Sequence, residues 1–261
     1  MPGEWYPGAY ERLSDPQYRW GLAVLERIPL RGDETVVDAG CGAGRLTAVL
    51  LERLPQGRVI GVDRSQNMLD QAALRLGPRY GERVELVRAD LGAFALGRVA
   101  DLVVSTATFH WVLDHERLFR ELFAALRPGG RLVAQCGGVG NLSRLLARAR
   151  ERMAREPLAS YFAGWREPWE FADAETTARR LGSAGFVDVA TGIQDEPTEF
   201  ADPSVFEQFL THVVFGSHLE RLPSGELKRG FIAPLVELAA RDDPPRVLDY
   251  RRLNLRARRP A

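Results

Sequence analysis

The chain has 261 residues, 45% of them apolar, and its 35 basic residues balance its 35 acidic ones. That is enough chain for a large globular core. The zero net charge argues against a disordered chain or one that coats nucleic acid. Cys41 and Cys136 stand far apart, and the four histidines fall into no metal-ligand spacing, so neither a disulfide scaffold nor a metal is expected. No apolar run reaches the roughly 18 residues of a membrane span, and the start MPGEWYPGAY lacks the basic-then-apolar order of a secretory signal. The expectation is a cytoplasmic protein that contacts neither membrane nor nucleic acid.

In chain order, Tyr18 to Ile28 reads as a helix with an apolar face, ended by Pro29 and Gly32. Glu34 to Ala39 reads as a buried strand, because Val36 and Val37 are β-branched and turn formers flank them. Gly40, Gly42 and Gly44 lead into a helix from Arg45 to Leu54, and Arg58 to Asp63 forms the next strand. Ser65 caps a helix predicted to close at Gly77-Pro78, and strands follow over 83–88 and 99–105.

Asp114 is an N-cap for a helix from Glu116 to Arg127, and the Pro128-Gly129-Gly130 turn leads to a strand over 131–136. Helices are predicted over 142–155, 176–181, 205–219 and 226–240, with strands over 186–190 and 246–257. This alternation favours an α/β fold, a largely parallel sheet covered on both faces. The whole chain reads as a single domain, in which about 138–182 and 200–240 are variable segments that form a lid and shape the substrate site.

The sharpest signal is VVDAGCGAG, Val36 to Gly44, where a buried strand runs into closely spaced glycines and then a helix. Glycine permits a tight turn and close ligand approach, and the helix N-terminus adds backbone donors. Asp63 ends the next strand, where a carboxylate accepts hydrogen bonds from both hydroxyls of a ribose. These residues point to a nucleoside-like ligand, either a nicotinamide cofactor or S-adenosylmethionine.

Further motifs sharpen the picture: VIGVDRS around Asp63, VRADL around Asp90, and LRPGGRLV over 126–133. With the glycine run, they make the chain resemble the class I S-adenosylmethionine-dependent methyltransferases, especially the small-molecule group that includes the trans-aconitate methyltransferases. The resemblance covers Val36 to Val133. It implies a Rossmann-like, mostly parallel seven-stranded sheet with helices on both faces and a helical lid insertion. It also implies S-adenosyl-L-methionine as cofactor, held by Asp38, Gly40, Gly42, Gly44, Asp63, Asn67, Met68, Asp90, Leu91 and Ser105. Asp38 is associated with the amino-acid portion of the cofactor or with ordering of the glycine loop. Asp63 is associated with the ribose, Asn67 and Met68 with the adenosine, and Asp90 and Leu91 with the adenine.

The activity implied is methyl transfer to a small organic acceptor, either a carboxylic acid or a natural-product intermediate. A general base is optional, because the sulfonium already activates the methyl group. His110 is a candidate for binding the acceptor, for removing its proton, or for packing at the cofactor mouth. Trp111 reads as a pocket wall, and Tyr10, near Trp5, gains weight if the acceptor is a carboxylic acid. Tyr161, Trp165 and Trp169 are candidates for enclosing the substrate, with Arg166 binding its carboxylate, or for an aromatic lid packed on the sheet. Two other functions stay open, an NAD-dependent oxidoreductase and a noncatalytic S-adenosylmethionine-binding regulator. The chain is expected as a monomer or a weak homodimer.

Overall fold

Strand β1, Thr35–Ala39, is buried along its whole length and lies in the interior of the sheet, as a run of β-branched residues without polar alternation requires. The computed structural model describes residues 13–261, so Trp5 and Tyr10 lie outside the described residues. The elements around β1 are α1 (Asp15–Glu26), α2 (Arg45–Glu52), β2 (Arg58–Asp63), α3 (Gln66–Tyr80), β3 (Val84–Arg88), β4 (Ala100–Thr106), α4 (His115–Ala125) and β5 (Leu126–Gly137). There follow α5 (Ser143–Met153), α6 (Ala159–Phe162), α7 (Ala174–Ser183), β6 (Val187–Asp195), β7 (Thr198–Glu199), α8 (Pro203–Phe209), α9 (Gly216–Leu219), α10 (Gly225–Ala240), β8 (Val247–Leu248) and β9 (Arg251–Arg258).

The seven-stranded sheet has the order β3-β2-β1-β4-β5-β9-β6. Strands β1 to β5 pair in parallel, and β9 runs antiparallel between β5 and β6. Alternate residues of the central strands face opposite layers. Val36, Val59 and Leu102 pack with Leu25, Leu50 and Leu76 of α1 to α3. Val37, Ile60 and Val103 pack with Leu118 and Phe119 of α4 and Leu181 of α7. A third apolar cluster joins α5, α6, α8 and α10 through Leu145, Phe162, Phe206 and Phe231.

The structure departs from the sequence expectations at three informative places. Helix α3 does not close at Gly77-Pro78 but runs on to Tyr80. Leu76 and Tyr80 stay buried against the sheet, and the Tyr80 hydroxyl donates to the Ala48 carbonyl at 3.3 Å, so tertiary contacts outweigh the proline. Helix α4 ends at Ala125 because Leu126 already pairs with Ala100, and β5 bulges through the Pro-Gly-Gly turn before Arg131 pairs with Leu102. The helix predicted over 205–219 is broken by a π-helical turn, Leu210–Val214.

Candidate functional site

Chain order reverses beside β1. It steps outward through β2 and β3, then returns to β4 on the other side. Ligands of open α/β sheets bind outside the carboxyl ends of the strands at such a point. Here it opens into a cavity of about 480 Å³. Its walls include Asp38 and Gly40 to Ala43 at the end of β1, Asp63 at the end of β2, Ala89 to Ala93 after β3, and Thr106 to Thr108 at the end of β4. That volume suits a nucleoside-sized ligand.

The glycine turn is tied down from both sides. The Gly42 N–H donates to Asp63 Oδ2 at 2.9 Å, and the Ser65 N–H donates to Oδ1 at 2.9 Å. Each Asp63 oxygen keeps a further lone pair for a ligand hydroxyl. Gly40 has φ +88°, and a Cβ there would lie 2.2 Å from Thr108 Oγ1, so only glycine fits. Gly42 has φ +52° with nothing within 4 Å of the position a Cβ would take, which leaves its backbone open to close approach. The Thr47 hydroxyl donates to Asp38 Oδ2 at 2.7 Å, joining β1 to α2 across the turn. Asp90 Oδ1 accepts from the Gly92 N–H at 2.8 Å, which fixes the loop after β3.

Asp38 and Asp63 sit in a desolvated place. Burial raises Asp38 to about 6, with the neighbouring Asp63 charge adding to the effect and the Thr47 hydrogen bond opposing it. Burial likewise raises Asp63, against the pull of the Ser65 and Gly42 amides. A cationic ligand with several hydroxyls would relieve both groups.

A methyltransferase domain profile matches residues 36–130. The trans-aconitate 2-methyltransferase of Paracidovorax citrulli is 34% identical over 99% of each chain. The enzyme of the same name from Variovorax paradoxus is 33% identical, again over 99% of each chain. The chain belongs to the class I S-adenosylmethionine-dependent methyltransferases. Among solved structures, phosphoethanolamine N-methyltransferase 2 of Haemonchus contortus, in complex with phosphomonomethylethanolamine and S-adenosylhomocysteine, superposes with a TM-score of 0.62 at 20% identity. That match covers 97% of this chain and 56% of the other, and it bears on the fold alone. Neither the nicotinamide reading nor the noncatalytic one finds support among these relatives.

A second chamber of about 40 Å³ adjoins the main cavity of this methyltransferase, sharing Gln17, Ala107 and Trp111 as walls. His110, Trp169 and Arg252 also line it. The Gly137 N–H donates to His110 Nδ1 at 3.3 Å, so the ring carries its proton on Nε2. Burial pushes the His110 pKa well below its usual value, and the Arg252 charge pushes it further, leaving a neutral ring. The aromatics stack in line, with His110 and Phe171 at 5.7 Å and Trp169 and Phe171 at 5.6 Å between centroids.

Of the residues singled out from sequence, Asp38, Gly40, Gly42, Asp63, Met68, Asp90, Leu91 and Trp111 line the main cavity. Gly44, Asn67 and Ser105 do not. Gly44 packs against Leu76 of α3, and the Ser105 hydroxyl donates to the Ala39 carbonyl at 2.6 Å behind the wall. Tyr161 and Trp165 belong to the helical cluster instead, where Trp165 lies 5.2 Å from buried His218, and Arg166 is exposed. The sequence reading missed Ser14, Gln17 and Tyr18, since α1 begins earlier than predicted. The Ser14-Asp15-Pro16 start was a readable signal. No local signal marked Arg252, which sits in an arginine-rich strand.

Proposed function

We propose that this methyltransferase moves the methyl group of S-adenosylmethionine to a carboxylate oxygen of a small organic acid, forming a methyl ester. When bound, the cofactor supplies a methyl carbon made electrophilic by a positively charged sulfur. Asp63 holds the ribose hydroxyls, and the turn Gly40 to Ala43 brings backbone close to the amino-acid portion. Met68, Asp90 and Leu91 border the adenine, while Asp38 orders the turn and balances the cofactor's positive charge. The substrate named for the two full-length relatives, trans-aconitate, supports a carboxylic acid acceptor.

One observation carries the choice of a carboxylate over a hydroxyl or amine. The only histidine at the acceptor side among the described residues, His110, has Nδ1 occupied by the Gly137 amide and is held neutral with its proton on Nε2. It is built to donate, not to take a proton. A carboxylate is already ionised near neutral pH and needs no base, so the chain has only to orient it and exclude water. Trp111 walls both cavities and Trp169 the smaller one, as such exclusion requires. Within the segments about 138–182 and 200–240, the cluster of α5, α6, α8 and α10 serves as the lid over this side, while α7 packs on the sheet instead.

The test uses S-adenosylmethionine with a labelled methyl group and trans-aconitate as acceptor. The expected product is a base-labile methyl ester. Label that resists mild alkaline hydrolysis, or that goes only to amines or phenols, would overturn the carboxylate assignment.

A further inference from the structure

We infer that the small chamber is a subsite for a second, non-reacting carboxylate of the acceptor, with Arg252 as its cationic anchor and the Nε2–H of His110 beside it. The inference rests on the carboxylate reading above and names what makes it selective.

Arg252 is 2% exposed. It stands on strand β9, opposite Gly137 of β5 and Gln194 of β6, so the sheet fixes its backbone on both sides. Its guanidinium lies 4.5 Å from the Trp20 ring centroid, which leaves the planar fork oriented. It is the one charged side chain among the described residues that line the chamber. Asn141 Oδ1 accepts from the Arg251 N–H at 2.9 Å, which leaves its NH2 as the end able to donate. Arginine, a neutral imidazole N–H and an amide NH2 form a donor set matched to an anion, and a buried carboxylate needs both a cation and hydrogen bonds.

Size fits the same group. A chamber of about 40 Å³ has room for roughly three water-sized groups, the heavy-atom count of one carboxylate and too few for a whole acid. The rest of the acceptor must therefore lie in the main cavity, reached past Ala107 and Trp111, where its reacting carboxylate meets the methyl group. The chamber is also held under backbone strain. Of the four non-glycine residues with positive φ among the described residues, Ala107 and Leu142, both at +55°, line it. Such strain collects where a ligand site is shaped in advance.

The experiment is a calorimetric titration of trans-aconitate, and of crotonate with its single carboxylate, into the full chain saturated with S-adenosylhomocysteine. Wild-type protein is expected to bind trans-aconitate at least 30-fold more tightly than crotonate. Arg252→Gln should erase that preference, Arg252→Lys should recover part of it, and both should keep S-adenosylhomocysteine affinity within threefold. Equal binding of the two acids by wild type, no binding of trans-aconitate, or an Arg252→Gln variant that still prefers it would each overturn the subsite. If the variants fail to hold S-adenosylhomocysteine, the wild-type preference alone decides. The labelled-methyl assay separates the two claims. Selective binding lost in Arg252→Gln, but without ester formation by wild type, would keep the subsite and remove the proposed reaction.

Discussion

The two ends of the ligand site are built by different means. Around the main cavity, the walls are turns and short carboxylates at the ends of consecutive parallel strands, each within a few residues of the element that holds it. Around the small chamber, the walls come from α1, the loop after β4, the loop after β5, the segment before α7, the π turn and β9 with Tyr250 before it, residues 17 to 252 of the chain. A site made of backbone tolerates little change in its glycines and much in its surroundings. A site made of gathered side chains is easily retuned, which suits a half that must choose among acceptors while the other half holds one cofactor.

The largest expected effect lies in the backbone-built half. Gly40→Ala combines a positive φ with a Cβ placed 2.2 Å from Thr108 Oγ1 and 2.3 Å from Thr108 Cγ2. It should lower stability by about 2–4 kcal/mol and remove measurable cofactor binding. Gly42→Ala meets no neighbour within 4 Å, so only the left-handed backbone is penalised, about 1–2 kcal/mol. Denaturant unfolding and cofactor titration of the pair check this. Equal destabilisation by both would mean that Thr108 does not define the turn.

This contrast also explains what could be read from sequence. Strand β1, the glycine run, Asp63 and the Ser65 and Asp114 caps were legible because each depends on neighbours in sequence: β-branched burial, a turn, and a side chain accepting from an amide three residues on. The places that misled were settled by distant contacts. Tyr80 reaching Ala48 carries α3 through a proline, and a strand pairing pulls Leu126 out of α4. In the small chamber nothing local distinguishes Arg252 from Arg251. Arg251 pairs with Asp195 at the surface while Arg252 is buried, and only the pairing of β9 between β5 and β6 decides which faces in.

The next effect is electrostatic and belongs to the cofactor half alone. Burial holds the Asp38 pKa at about 6, above its ordinary 3.8. The folded protein therefore keeps a proton that the unfolded chain releases. Below 3.8 both states are protonated and Asp38 contributes nothing. As pH rises from there to about 6, stability is lost, reaching a penalty of about 3 kcal/mol above it. Asp38→Asn should lack this slope, so the stability of wild type relative to the variant should fall as pH rises from 4 to 7. A positively charged cofactor favours the ionised carboxylate, so its affinity should increase over the same interval in wild type and stay flat in the variant. Parallel stability curves would show that Asp38 titrates normally. If instead the acceptor's affinity followed this ionisation, the separation of the two halves would be lost.

The smallest effect tests the side-chain half by a residue that the sequence offered as a candidate. Arg166 follows Trp165 and precedes Trp169, a pattern that reads as a cation at the rim of an aromatic pocket. In the folded chain Trp165 turns into the helical cluster toward His218, Arg166 is exposed, and it lines neither the cavity nor the chamber. An exposed guanidinium in high dielectric gives a carboxylate little binding, whereas a desolvated one with fixed geometry gives much. Arg166→Ala should thus change stability by less than about 0.5 kcal/mol and the KM for trans-aconitate by less than about twofold. A tenfold rise in KM with unchanged kcat would mean that the segment around Arg166 folds over the acceptor when it binds, and that Arg166 joins Trp169 at the acceptor site.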